Sequence, residues 1–219
     1  MKVEYNQKAL NEIINANLDV DGDYGAKTKA AEDNFKQKLS IIFANKGYKF
    51  LYYMPIAIRM SDLFTDKMSD WACLFTPNKV MFIPISTKPA SYLESETKVA
   101  VLKENQYLDS WVLKNDGWSG MVYLHQVKDV IVYRDNLVDL KITRTAPTEK
   151  GIFYINWHSW KSWLQNILWY KSTNKNIALS KGCQVGVATD WQLLTNELTK
   201  FISIGSFVSG TLINIEDFK

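Results

Sequence analysis

Cysteine and histidine are both scarce in this chain, two of each in 219 residues. So few cysteines argue against the disulfide framework of a small secreted domain. Two histidines and two cysteines at scattered positions give no metal-ligand spacing, so neither a metal nor a cofactor is expected. Nowhere is there a run of about 18 apolar residues, the length a membrane-spanning helix needs, and no stable membrane insertion is expected. The opening residues 1–8 lack the apolar core of a signal peptide, which points to synthesis in the cytoplasm. One-sided charge is also missing. The formal net charge is +3 and the lysines are spread along the chain, so no nucleic-acid partner is implied. No Pro/Gly/Ser-rich linker divides the sequence, so any accessory unit docks on the main one rather than swinging from it.

What is present is ordinary for a globular protein: 47% hydrophobic and 22% charged residues. The length suits one full domain with a small accessory unit and leaves the oligomeric state open. Leu10, Ile13, Ile14 and Leu18 have helical spacing over residues 7–18. Asp21, Gly22, Asp23, Tyr24 and Gly25 then form a polar, glycine-bearing turn. Thr28 caps or opens a second helix with Ala31 and Phe35 on one face, a face that Leu39, Ile41, Ile42 and Phe43 continue. Asp62, Phe64, Met68 and Trp71 again show helical spacing. From Trp71 onward, short runs of β-branched and aromatic residues alternate with turn clusters, predicting strands near 73–75, 80–85, 99–102, 110–113, 121–124, 130–133, 151–157 and 211–215. One amphipathic helix is expected over 188–201.

The helix, Asp-Gly turn, helix arrangement resembles the small peptidoglycan-binding module, whose pattern is matched by Asp21, Gly22, Tyr24, Gly25, Thr28, Ala31 and Phe35. That resemblance covers roughly the first 40 residues and implies the cell-wall polymer as partner, with Asp21, Gly22, Tyr24 and Gly25 as wall-binding residues. A plain helical hairpin packed on the main domain is the other reading of the same residues.

A thiol attacks a carbonyl only when something accepts its proton or lowers its pKa, and an imidazole is the usual partner. Cys183 stands in a glycine-bearing context, Ser180-Lys181-Gly182-Cys183-Gln184-Val185. His158, followed by Ser159, ends the apolar run that begins at Ile152. The two are far apart in sequence, so only the fold can bring them together. Cys73 reads as inert core filling, His125 as a solvent-face or satisfied strand residue, and a Cys73–Cys183 bridge would consume the candidate nucleophile.

These fragments resemble the L,D-transpeptidase catalytic domain, and more closely an allied phage and bacterial group with a pattern I-N-x-H, spacer, S-x-G-C-Q-V, carried here by Ile155-Asn156-Trp157-His158 and residues 180–185. The resemblance implies Cys183 as nucleophile, His158 as general base, and Ser159 as the residue whose carbonyl orients the imidazole. It implies backbone N–H groups of Gly182 and Cys183 as part of an oxyanion hole. Ser180, Lys181, Gln184 and Trp160 would meet substrate, Trp160 from an aromatic spacer that reads either as a lid or as ordinary packing. Lys181 departs from the family, standing where those enzymes carry a second histidine.

The expected fold is α+β. A peptidoglycan-binding-like helical module over 1–45 and a connecting segment over 46–70 precede a mainly β, L,D-transpeptidase-like sandwich or barrel domain over 71–219, with a few helices. The expected function is that of a cysteine peptidase or transpeptidase acting on peptidoglycan through a Cys183 acyl-enzyme. It would be an endolysin or other phage-type or injected lytic hydrolase that reaches the wall or periplasm after release or delivery. The alternative is a non-catalytic wall-binding or virion structural protein on a degenerate form of the same fold.

Overall fold

The computed structural model describes residues 2–65, 67–88, 99–115, 122–135, 139–151, 157–159 and 184–219, with the backbone alone for Asp135, His158 and Ser159. Within these the chain is a mixed α+β protein dominated by sheet.

Helix α1 (Val3–Ile14) buries Ala9, Leu10, Ile13 and Ile14 on one face. It stops earlier than the apolar spacing to Leu18 predicts, because Asn15 and Asn17 adopt left-handed backbone (φ 54 and 53), which asparagine tolerates better than most residues. The returning chain is pinned by the Asn11 side chain, which donates to Leu18 O at 2.8 Å and accepts from Leu18 N at 2.6 Å. Helix α2 (Ala26–Lys46) begins after Gly25 and ends on Gly47, whose φ of +70 suits a C-terminal glycine cap. Thr28 therefore lies inside its first turn, and Ile41 points to solvent while Leu39, Ile42 and Phe43 are buried.

Among the described residues eleven strands follow: β1 (Pro55–Arg59), β2 (Asp70–Phe75), β3 (Val80–Ser86), β4 (Val99–Leu102), β5 (Asn105–Asn115), β6 (Val122–Gln126), β7 (Val130–Asp135), β8 (Thr148–Gly151), β9 (Trp157–Ser159), β10 (Gln184–Gly186) and β11 (Phe207–Asn214). Helix α3 (Ala188–Thr199) stands between β10 and β11, and a 3-10 turn (Ile215–Phe218) ends the chain. Eight strands curl into a ring in the order β1-β11-β5-β6-β9-β10-β3-β2, and β4-β7-β8 form a separate small sheet. The join between β6 and β9 is the lightest, a single described pair Leu124↔Trp157.

Period-2 alternation sorts the strand residues into two cores. Ala57, Ala72, Leu74, Met81, Ile83, Ile85, Trp111, Leu124, Trp157 and Leu212 line the interior, into which α3 adds Trp191, Leu194 and Leu198. Ile56, Ile58, Trp71, Cys73, Phe75, Val80, Phe82 and Ile213 face outward and are covered by α1 and α2 in one continuous apolar cluster. Strands β1 to β3 are thus buried on both faces, which explains why they read as nearly unbroken apolar runs.

Two further local expectations differ from the structure. The stretch 46–70, read as a connection, supplies β1, which pairs in parallel with β11 and antiparallel with β2. The helical spacing of Asp62, Phe64, Met68 and Trp71 belongs to no helix: Phe64 packs with Val99, Val101, Tyr133 and Ile142, whereas Trp71 belongs to the helix-covered cluster and donates its indole N–H to Glu12. Four residues drawn to separate surroundings have no common face to form a helix on.

Candidate functional site

Strands β9 and β10 are parallel neighbours in the ring, with Gln184 opposite Trp157, Val185 opposite His158 and Gly186 opposite Ser159. On its other side β10 runs antiparallel to β3, with Val185 opposite Ser86. Cys183, Gly182, Lys181, Ser180 and Trp160 lie outside the described residues. The register nevertheless seats Gln184, the residue bonded to Cys183 in the chain, beside Trp157, the residue bonded to His158.

In-register residues of adjacent strands share a face, so the Gln184 and Trp157 side chains project together. Both are fully buried, and the Gln184 amide nitrogen and oxygen and the Trp157 indole nitrogen find no hydrogen-bond partner among the described residues. Three unpaired polar atoms on one face are costly, since each buried unsatisfied group forfeits roughly 1–3 kcal/mol.

The rim at which β10 starts also holds an ion network that reading the sequence did not single out. Antiparallel and parallel pairings bring the end of β1, the start of β2, the end of β3 and the end of β11 to this same edge. Arg59, fully buried, donates from Nε to Thr87 Oγ1 at 3.1 Å and from Nη2 to Leu102 O at 2.9 Å, and its Nη1 pairs with Glu104. Asp70 accepts from Thr87 N at 2.9 Å, from Thr87 Oγ1 at 2.7 Å and from Met60 N at 2.9 Å. It also pairs with the fully buried ammonium of Lys88 at 2.9 Å, which donates further to Ser61 O at 2.8 Å. Burial opposes ionisation of Glu104, but Arg59, then Arg144 and the Tyr133 hydroxyl, outweigh it and hold its pKa below the usual range. The outer edge is carried by Arg144, which pairs with both Glu104 at 2.9 Å and Asp62 at 2.6 Å. In the sequence the signal is an arginine that closes the apolar run Ile56-Ala57-Ile58.

In the helical unit the motif residues divide by task. Asp21 Oδ1 accepts from Gln7 Nε2 at 2.6 Å and from Asp23 N at 2.9 Å, and these bonds, Gln7 first, hold its pKa below the ordinary carboxylate value. Gly22 sits at φ +82 and donates its N–H to Gln7 Oε1 at 2.9 Å. Gly25 is the residue before α2. These three shape the loop around Gln7. Tyr24 instead turns outward, its ring 46% exposed and its hydroxyl donating to Glu32 at 2.7 Å. Burial, then Glu32, pushes the Tyr24 pKa up to about 12.

Cys73 is a free thiol sealed between sheet and helices, and burial pushes its pKa up, which leaves it unreactive. His125 is half-buried in β6 beside the Tyr123 ring, and burial, then Lys114, lowers its pKa. Among the described residues no helix is long and apolar enough to cross a membrane. No protein-family model, curated protein or solved structure matches this chain.

Proposed function

We propose that the chain is a peptidoglycan-acting cysteine enzyme with an L,D-transpeptidase-like catalytic domain and a wall-binding helical module, in which Cys183 is the nucleophile and His158 its base. The observation that supports this most is the in-register pairing of β9 with β10. A long sequence separation between imidazole and thiol is an obstacle to catalysis unless the fold removes it. The parallel pair supports this reading by seating Trp157–Ser159 beside Gln184–Gly186, the strand that follows Cys183 in the chain.

In this reading His158 takes the thiol proton and the Cys183 sulfur attacks the carbonyl carbon of a stem-peptide amide. The tetrahedral oxyanion is held by the N–H groups of Gly182 and Cys183, each donor lowering the barrier by about 3 kcal/mol. The C–N bond breaks, the leaving amine takes the proton back from the imidazolium, and a thioester remains on Cys183. Water then releases an acid, or a second amine forms a new amide, so one acyl-enzyme serves peptidase and transpeptidase outcomes. Ser159 orients the imidazole, and Ser180, Lys181 and Trp160 meet the substrate, whereas the Gln184 side chain is fully buried beside Trp157 and backs the site instead of contacting the ligand. The phage-type or injected lytic role, with action at the wall after release or delivery, belongs to the same reading.

Lys181 favours a second one, a non-catalytic wall-binding or virion structural protein. An ammonium accepts no proton at neutral pH unless it is desolvated, so it does not replace the family's second histidine as a base. Incubation of purified sacculi with the protein and with Cys183→Ala separates the two readings. The enzyme reading expects muropeptides released by the first and not by the second; identical profiles would leave only binding.

A further inference from the structure

A cleft of about 110 Å³ opens along the seam between α2 and the turn joining β2 to β3, lined by Tyr24, Lys29, Glu32, Lys36, Asn78 and Lys79 among others. Its walls are fixed by independent contacts. Phe35 of α2 stacks on Phe75 at the end of β2, with ring centroids 5.8 Å apart and planes 4° from parallel. The turn is closed by Thr76 N donating to Lys79 O at 2.9 Å and Lys79 N donating to Thr76 Oγ1 at 3.2 Å. Asn6 ties both walls together, donating to Glu32 Oε1 at 2.6 Å and to Val80 O at 2.9 Å, and accepting from Phe82 N at 3.1 Å.

The chemistry offered there is mixed. Tyr24 has its hydroxyl held by Glu32, so the ring is fixed in direction while half its surface stays open. A fixed, exposed ring of this kind suits the C–H face of a sugar. Glu32, only 7% exposed, has no ammonium within ion-pair distance among the described residues and accepts from neutral donors. It is available to hydroxyl or amide hydrogens. Lys29 and Lys79 each have one carboxylate partner, Asp33 at 3.4 Å and Glu197 at 3.1 Å, and Lys36 lies 5.7 Å from the Tyr52 ring. An ammonium has three donors, so these lysines keep hydrogens for an incoming carboxylate.

We infer that this seam binds an amino-sugar unit carrying an acidic peptide, with the sugar against Tyr24 and the carboxylate toward Lys36 and Lys79. The inference rests on the wall reading for the identity of the polymer, and goes beyond it in two ways. It moves recognition away from Asp21, Gly22 and Gly25, which build the loop, and it enlists Asn78 and Lys79 from the β domain. The helical unit and the barrel then form one binding surface.

The test is calorimetric titration of the full chain with a purified disaccharide–tetrapeptide, using Tyr24→Ala, Lys36→Glu and Cys183→Ala, each checked for native circular dichroism. Saturable binding that Cys183→Ala retains and that Tyr24→Ala and Lys36→Glu each weaken at least fivefold is the expected result. Lys36 is a surface side chain, so its variant reports on the seam even where Tyr24→Ala disturbs the loop. Binding unchanged in both seam variants would place the ligand elsewhere and overturn the inference. Absence of binding by a protein that still releases muropeptides from sacculi would overturn the seam and leave the wall reading standing. Absence of both activities would remove both.

Discussion

At the scale of single residues, the tightest constraint in the ring is Gly210. A Cβ added there would come within 2.9 Å of the Trp111 ring, which is itself fully buried in the interior cluster. A rigid indole held on all sides has no room to yield, so Gly210→Ala is expected to destabilise the fold by roughly 1–3 kcal/mol, the usual cost of overpacking. Urea denaturation measures it as a lower midpoint with the slope unchanged. Gln184 carries the opposite expectation. Its amide is buried without a partner among the described residues, so an unbranched apolar side chain of similar length relieves an unpaired polar group. Gln184→Met should raise the denaturation midpoint. A midpoint that falls would mean that the amide is satisfied in solution.

At the scale of elements, the rim network decides how firmly β1, β2 and β3 are held beside β10. Asp70 supplies the carboxylate for Lys88 Nζ and accepts from both the N–H and the hydroxyl of Thr87. Asp70→Ala strands a buried ammonium, and breaking such a pair from one side costs about 3–5 kcal/mol. Replacing both partners, as Asp70→Leu with Lys88→Met, should recover most of that loss in a thermal melt. Failure of the double variant to recover would show that Thr87 and the Met60 N–H matter more than the ion pair. Glu104 gives the same rim a pH dependence. Its folded pKa lies below the unfolded carboxyl value of about 4.3, so its contribution is complete above that value and drains away as pH falls through the folded pKa. Glu104→Gln should therefore flatten the acid limb of the stability profile between roughly pH 5 and pH 3.

Much of this layer was legible in advance, for a physical reason. Strands such as Val80–Ser86 and Val130–Asp135 announce themselves because β-branched and aromatic residues sit between turn clusters, and local pattern is enough to find them. Strand β1 was passed over because the aromatic stretch before it, from Tyr48, carries the same apolar weight without pairing. The end of α1 was misread because Leu18 keeps the helical spacing while Asn15 breaks the backbone. Register is a long-range property that no local spacing encodes, so the meeting of β9 with β10 and the ion pairs at β1, β2 and the end of β3 were invisible until the ring closed. Of the proposed site, His158 and Cys183 were candidates by their local contexts alone, whereas Asp70, Lys88 and Glu104 could not be picked out, because their ion pairs depend on residues distant in the chain.

For the molecule as a whole, the helical unit and the barrel are not independent bodies. Ile56, Ile58, Trp71, Phe75, Phe82 and Ile213 present an apolar outer face that α1 and α2 cover. Further ties run from Lys2 to Asp190 at 2.6 Å, raising the Lys2 pKa, and from Tyr5 to the same carboxylate at 3.0 Å. A chain cut to residues 47–219 should expose that face and aggregate, because contiguous apolar surface of this kind is not tolerated in a monomer. A soluble, cooperatively unfolding 47–219 fragment by size exclusion and calorimetry would contradict the shared core. The helical unit and the ring therefore share one apolar core.

The claim on which the account turns is that His158 activates Cys183. Its most direct measurement is the rate at which a thiol-reactive probe labels each cysteine at pH 7, resolved by peptide mass mapping in the native protein and in His158→Ala. The account predicts rapid labelling at Cys183, negligible labelling at buried Cys73, and loss of the Cys183 rate advantage when the imidazole is removed. A Cys183 rate no greater than that of an ordinary exposed thiol, or one that His158→Ala leaves untouched, would contradict it.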